Sequence, residues 1–160
     1  MPKIMGWISG NSIVIDILVA KFEKPEFDSS GKLSKRGRFL LGNNQRWLKA
    51  LLDTGATESV ISSELVEELN LKPIGKRKIC TASSNEIEVF AYEAGIGVKL
   101  VAGVRKTQNQ TQELGTIKWY PIIVTGNEAI KHQGLDAIIG MDIIMSGQLT
   151  VSGDVFILSI

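Results

Sequence analysis

A single cysteine, Cys80, stands in a chain of 160 residues, so no intramolecular disulfide can form and a cysteine-rich metal knot is excluded. That usage fits a reducing, cytoplasmic compartment, and a buried, unreactive thiol is the expected state of Cys80. Histidine is equally scarce. His132, in Lys131-His132-Gln133-Gly134, cannot build a histidine-rich metal site alone and has no nucleophile pattern around it, so it reads as a solvated loop residue. Charge of one sign is also missing. Lys and Arg number 18 against 17 Asp and Glu, a formal +1, which points to neither nucleic acid nor an anionic membrane surface as partner. Long apolar runs are absent: Ile13 to Ala20 is interrupted by Asp16 and is far shorter than the ~20 residues of a spanning helix. The first residues show no basic, apolar and small-residue succession of a signal peptide, so a cytoplasmic protein with no membrane partner is expected.

Hydrophobic residues make up 44% of the chain, enough to exclude a disordered tail, and the length suits one core, so residues 1–160 are expected to form a single domain. The apolar stretches are short and rich in Val and Ile, which predicts many strands and few helices. Candidate strands are Ser12–Lys21, Trp47–Leu52, Lys76–Cys80, Glu86–Val101, Gly115–Val124, Ala137–Ile139, Gln148–Ser152 and Asp154–Ser159. One main helix is predicted over Ser63–Asn70, with Ser63 as N-cap, Leu65 and Leu69 one turn apart and Pro73 beyond the exit. A shorter turn of helix is predicted from Asp142 as N-cap to Gly147 as stop. Phe22–Arg46, with Pro25, Ser29-Ser30-Gly31 and Gly42-Asn43-Asn44, is expected to be a flexible basic loop insertion. Arg105–Gln112 is expected to be a hairpin tip. Trp7, Trp47 and Trp119 are expected to pack in the core or at its rim rather than stack on a ligand.

The segment that carries chemistry is Leu51-Leu52-Asp53-Thr54-Gly55-Ala56, where an acid ends an apolar strand and a polar turn, Thr57-Glu58-Ser59, follows. The tripeptide alone is weak: at ~5–7% usage per residue type it turns up by chance in a chain this long on the order of a few times in a hundred. Its setting is stronger. Ala137-Ile138-Ile139-Gly140-Met141-Asp142 follows downstream, two apolar residues and a glycine before a short helix.

These two segments together resemble the retropepsin-like aspartic peptidases, over roughly Trp47 to Ile160, with Ser12–Lys21 as a preceding strand. The resemblance implies a mostly-β fold, a closed antiparallel acid-protease barrel with one main α-helix, acting as a homodimer on polypeptide substrate with no metal and no cofactor. Asp53 would be the catalytic carboxylate. Two carboxylates at hydrogen-bonding separation cannot both ionise and so share a proton, one activating water while the other protonates the scissile carbonyl. The chain lacks a second such motif, because Asp28-Ser29-Ser30-Gly31 has one residue too many and no apolar strand before it. Asp53 must therefore meet Asp53 of a second chain on a two-fold axis, with the termini available to pair across that interface.

The resemblance further implies that Thr54 locks the two active loops together, that Gly55 lets substrate backbone approach, and that Ala56 and Asp142 support the loop. The flap, the hairpin that closes over bound peptide, would be Lys76–Cys80 and Glu86–Phe90 with Ser83 and Ser84 at its tip, and Ile138 and Val60 would line pockets. Many viral members carry an Arg after the Ile-Ile-Gly element that pairs with an Asp just beyond the Asp-Thr-Gly-Ala. Here Met141 and Thr57-Glu58 stand instead, and Asp142 is the expected substitute, accepting hydrogen bonds from Thr57 or Ser59 while capping its helix. Asp-Thr-Gly is also good turn chemistry in any β protein. Two rivals stay open at this point: a retropepsin-fold module that binds peptide without cutting, and a small trimeric β enzyme of nucleotide metabolism.

Overall fold

The computed structural model describes residues 3–8, 10, 12–80, 85–106 and 111–160, with the side chains of residues 7, 102–106 and 111–113 excepted. Its strands are β1 (Lys3–Trp7), β2 (Ile13–Glu23), β3 (Glu26–Phe27), β4 (Leu33–Lys35), β5 (Arg38–Leu41), β6 (Leu48–Leu52), β7 (Val60–Ser62), β8 (Pro73–Cys80), β9 (Glu86–Lys106), β10 (Thr111–Asn127), β11 (Ala137–Ile139), β12 (Gln148–Ser152) and β13 (Val155–Ser159). The helices are α1 (Ser63–Glu68) and α2 (Met141–Ile144), with a 3-10 helix over Glu128–Gln133.

Six strands close on themselves. β2 pairs with β9, β9 with β10, β10 with β7, β7 with β11, β11 with β6, and β6 returns to β2. The expected antiparallel barrel is thus a mixed one, because β10–β7 and β11–β6 run parallel. The cause lies in the thread of the chain. β6 and β7 point in opposite directions, and β11 inserts between them, so it must lie parallel to one and antiparallel to the other. Side-chain alternation builds the interior: along β6 Leu48, Ala50 and Leu52 are buried while Lys49 faces out, and Ile17, Ile61, Ile96, Val98 and Ile139 meet them in the same core. Each Leu, Ile or Val of this set stabilises the fold by about 1.5–3 kcal/mol on burial.

Outside the ring, β1 pairs with β13 and β12 extends that pair. The termini therefore pair within one chain, with Phe156 buried against Gly6, where an added Cβ would lie 2.7 Å from its ring. The basic insertion is also more ordered than its composition suggests. β3 pairs with β4, β5 pairs with β2, and Arg38 and Lys35 neutralise Glu23 and Glu26 at 2.8 and 3.3 Å. Phe39 stacks on Trp119, ring centroids 4.8 Å apart, over Gly95, whose lack of a side chain leaves the space. Trp47 is exposed at the rim beneath Lys99.

α1 starts one residue earlier than its signals suggest: Ser62, still extended at the end of β7, is the N-cap and accepts from Leu65 N at 3.4 Å. Leu65 and Leu69 are buried, and Asn70 exits at φ 48°, a left-handed value that asparagine tolerates. α2 is capped by Gly140 rather than Asp142, which sits in its first turn. Cys80 is exposed, contrary to the buried thiol expected, because it falls on the outward face of β8. The tip of the β9–β10 hairpin, residues 107–110, lies outside the described residues, as does most of the segment 81–85 joining β8 to β9. No helix among the described residues is long and apolar enough to cross a membrane.

Candidate active site

Asp53 follows β6 directly, and its position is set by main chain on both sides. Its N–H donates to Ile139 O at 3.0 Å, an interaction that continues the β6–β11 ladder by one residue. The chain then turns tightly: Gly55 N donates to Asp53 Oδ1 at 2.8 Å and Ala56 N to Asp53 O at 3.2 Å. Among the described residues Oδ1 receives this one donor and Oδ2 receives none. The carboxyl is half-buried, whereas Thr54 and Gly55 are exposed at the crown of the loop. A Cβ at Gly55 would lie 3.1 Å from Asp53 Oδ1, so a side chain there would press on the carboxylate.

The loop is stitched to the second motif. Ala56 O accepts from Met141 N at 2.8 Å. Asp142, eighty-three residues from Ser59, accepts from Ser59 N at 2.8 Å through Oδ2 and from Ser59 Oγ at 2.7 Å through Oδ1. Ser59 Oγ in turn accepts from Gly140 N at 3.1 Å. Ser59 is completely buried, so these bonds replace water that cannot reach it. Asp142→Ala should therefore leave two buried donors unpaired and destabilise the fold by about 2–3 kcal/mol in urea unfolding, and Asp142→Asn, which keeps an acceptor, should cost less. Equal stability of Asp142→Ala and wild type would show that the contact contributes nothing.

Ile138 is half-buried and pairs with Leu51 on β6 and Val60 on β7, so it is two residues along the same strand end as the loop. The two expected flap strands are present as β8 and β9, in register from Cys80 opposite Glu86. Ser83 and Ser84 lie outside the described residues. The Glu58 carboxylate pairs with Arg77 on β8. Among the described residues no three His, Cys, Asp or Glu side chains gather as a metal ion would require. Grooves of about 520 and 320 Å³ run beside α1, lined by residues such as Val66, Tyr92, Glu67 and Glu128, and Asp53 borders neither.

Ser59, one of the two donors expected for Asp142, is the one that reaches it, whereas another anchoring residue escapes a reading of the sequence alone. Asp136, just before β11, accepts from Lys49 N at 2.9 Å and Lys131 Nζ at 2.7 Å, while its own main chain bonds Lys49 O and Ser62 N. It thereby fixes where β11 enters between β6 and β7. Burial is the largest influence on its carboxyl and pushes the pKa up, but the Lys131 and Lys49 donors together outweigh it and hold the group below the usual carboxylate value. A folded pKa lower than the unfolded one contributes stability above the unfolded value of about 3.9, lost as pH falls through the folded value. Asp136→Asn should then lower stability by about 1–2 kcal/mol at pH near 7, with the gap to wild type closing in urea titrations as pH falls below the usual carboxylate value. A gap independent of pH would contradict this.

Comparison with known proteins gives three findings. The profile of a family described as "Aspartyl protease" matches residues 41–143, which include Asp53, Ser59, Asp136 and Asp142. A solved structure described as a retropepsin-like aspartic protease from Rickettsia conorii superposes with a TM-score of 0.50 over 98% of this chain and 89% of that one, at 11% sequence identity, a likeness of fold. No curated protein sequence matches the chain.

Proposed function

Because the chain belongs to the aspartyl protease family, we propose that it is an aspartic endopeptidase whose active site forms when Asp53 of one copy meets Asp53 of a second. The observation that carries this reading is the stitched loop. A carboxylate with one oxygen held by Gly55 N–H ends a strand clamped by Ile139, Ser59 and Asp142, and among the described residues its other oxygen has no donor and no second acid is hydrogen-bonded to it. A lone carboxylate cannot supply both a base and an acid. Two of them across a two-fold axis share one proton: the ionised member takes a proton from water as that water attacks the scissile carbonyl carbon, and the protonated member gives its proton to the carbonyl oxygen.

In this reading Thr54 at the exposed crown bridges the two loops, Gly55 lies against substrate main chain, and Asp142 with Ala56 keeps the loop in place. Substrate binds as an added strand, with main-chain hydrogen bonds giving affinity and alternate side chains entering pockets walled by Ile138 and Val60. The β8–β9 hairpin is the flap, and Ser83 and Ser84 are its proposed substrate-binding residues.

Solution mass and peptide-library cleavage between acidic and neutral pH test the proposal together. Library cleavage by a species of about twice the 17.5 kDa chain mass is expected. An active monomer would overturn the shared dyad. A tight dimer that cuts nothing would overturn the peptidase reading and favour a peptide-binding module.

A further inference from the structure

The two faces of the β8–β9 hairpin differ sharply in chemistry. Residues directly opposite one another on an antiparallel pair share a face. Lys76 with Phe90, Lys78 with Glu88 and Cys80 with Glu86 therefore form one side, and Arg77 with Val89 and Ile79 with Ile87 the other. The first side is solvated and pairs its own charges: Lys76 meets Glu88 at 2.8 Å and lies 5.5 Å from the centre of the Phe90 ring, and Lys78 meets Glu86 at 3.0 Å. The second side is apolar apart from Arg77. Arg77 reaches off the hairpin altogether, and its Nη1 donates to Oε1 of Glu58.

Glu58 is the only acid besides Asp53 in the segment Asp53 to Ser59. Its main chain is immobilised from two directions, since Ser59 beside it is buried and bonded to Asp142, and the Glu58 carbonyl packs against Gly140 closely enough that a Cβ there would lie 2.8 Å away. Arg77, by contrast, rides on a hairpin whose other face is water. The side chains are 36% and 35% exposed for Arg77 and Glu58, so attraction between them is only partly screened.

We infer that Glu58 and Arg77 are a positioning pair that sets how the β8–β9 hairpin stands relative to the Asp53 loop. A single charge on an otherwise apolar face tolerates few placements, because any docking that parts it from its counter-charge leaves a half-buried ion unpaired, so the pair selects one hairpin position over others of similar packing. The inference rests on the peptidase reading in one respect: if substrate lies between hairpin and loop, the pair governs peptide binding without touching the reacting atoms.

The test compares wild type, Glu58→Gln, Arg77→Met and the reversed double variant Glu58→Arg with Arg77→Glu, each confirmed to have the wild-type mass in solution. Each single variant should raise the KM for a library peptide about three- to tenfold while kcat stays within about twofold, and the reversed pair should recover most of the loss. Amide hydrogen exchange of residues 73–80 and 86–92 in the same four proteins should quicken in both single variants and slow again in the reversed pair. Single variants that match wild type in exchange overturn the inference, and so do single variants whose faster exchange the reversed pair fails to correct. A wild type that cuts no peptide while the exchange pattern holds overturns the peptidase reading and leaves the positioning role standing.

Discussion

Asp53→Asn is expected to reduce kcat on any cleaved peptide by about 10⁴-fold while leaving the fold intact. Asparagine keeps an oxygen where Asp53 Oδ1 accepts the Gly55 N–H, and the main-chain bond from Asp53 N to Ile139 O does not depend on the side chain. Stability should change by less than about 0.5 kcal/mol, as for a substitution that empties no core and orphans no donor. What disappears is the shared proton, since an amide pair has no carboxylate to activate water. Mixing gives the sharper readout. If the site is shared, a mixed dimer has one carboxylate and is inactive, so an equal mixture of exchanged wild-type and Asp53→Asn chains at constant total concentration should retain about one quarter of the activity. Retention of one half would mean that each chain works alone, and full activity of Asp53→Asn would remove Asp53 from the chemistry.

Gly140→Ala should be the most disruptive single methyl group near the site. The added Cβ would lie 2.7 Å from Glu58 C, 2.8 Å from Ala56 O and 2.8 Å from Glu58 O, all main-chain atoms that cannot swing aside as a side-chain tip would. Backbone preference is not the obstacle, because Gly140 adopts φ −92° and ψ −172°, extended values open to any residue. The cost is steric. Relief requires the Asp53 loop and the start of α2 to separate, which strains the Gly140 N to Ser59 Oγ and Met141 N to Ala56 O bonds at once. A loss of about 3 kcal/mol in urea unfolding is expected, together with reduced activity in the fraction that remains folded. A variant with wild-type stability would show that the two segments are packed less closely than described.

Much of this architecture is legible from local pattern. The alternation in Leu48-Lys49-Ala50-Leu51-Leu52 announces β6, Ala137-Ile138-Ile139 announces β11, and Gln148–Ser152 is found with the bounds its composition suggests. The failures have a common cause. β7 is three residues long and β5 four, and both are stabilised by neighbours distant in sequence, β10 and β11 for one and β2 for the other. The polar insertion holds Phe22 and Phe39, but nothing local reveals that Trp119, eighty residues on from Phe39, completes their stack. Asp142 is recognisable as support for the loop and Ser59 as one of its two expected donors, whereas the glycine that caps its helix emerges only when the two motifs meet.

The sequence by itself determined that this is a β-rich chain with one Asp-Thr-Gly motif answered downstream by Ile-Ile-Gly, and hence with one candidate carboxylate, because strand periodicity and turn chemistry act over a few residues. Only the tertiary structure decided that the barrel is mixed, that the termini pair within one chain, that Asp136 holds the strands around Asp53, and that Arg77 answers Glu58. Those are pairings between segments tens of residues apart. They are selected by which side chains can be buried together and which charges must then find a counter-charge, a choice made by the whole chain at once.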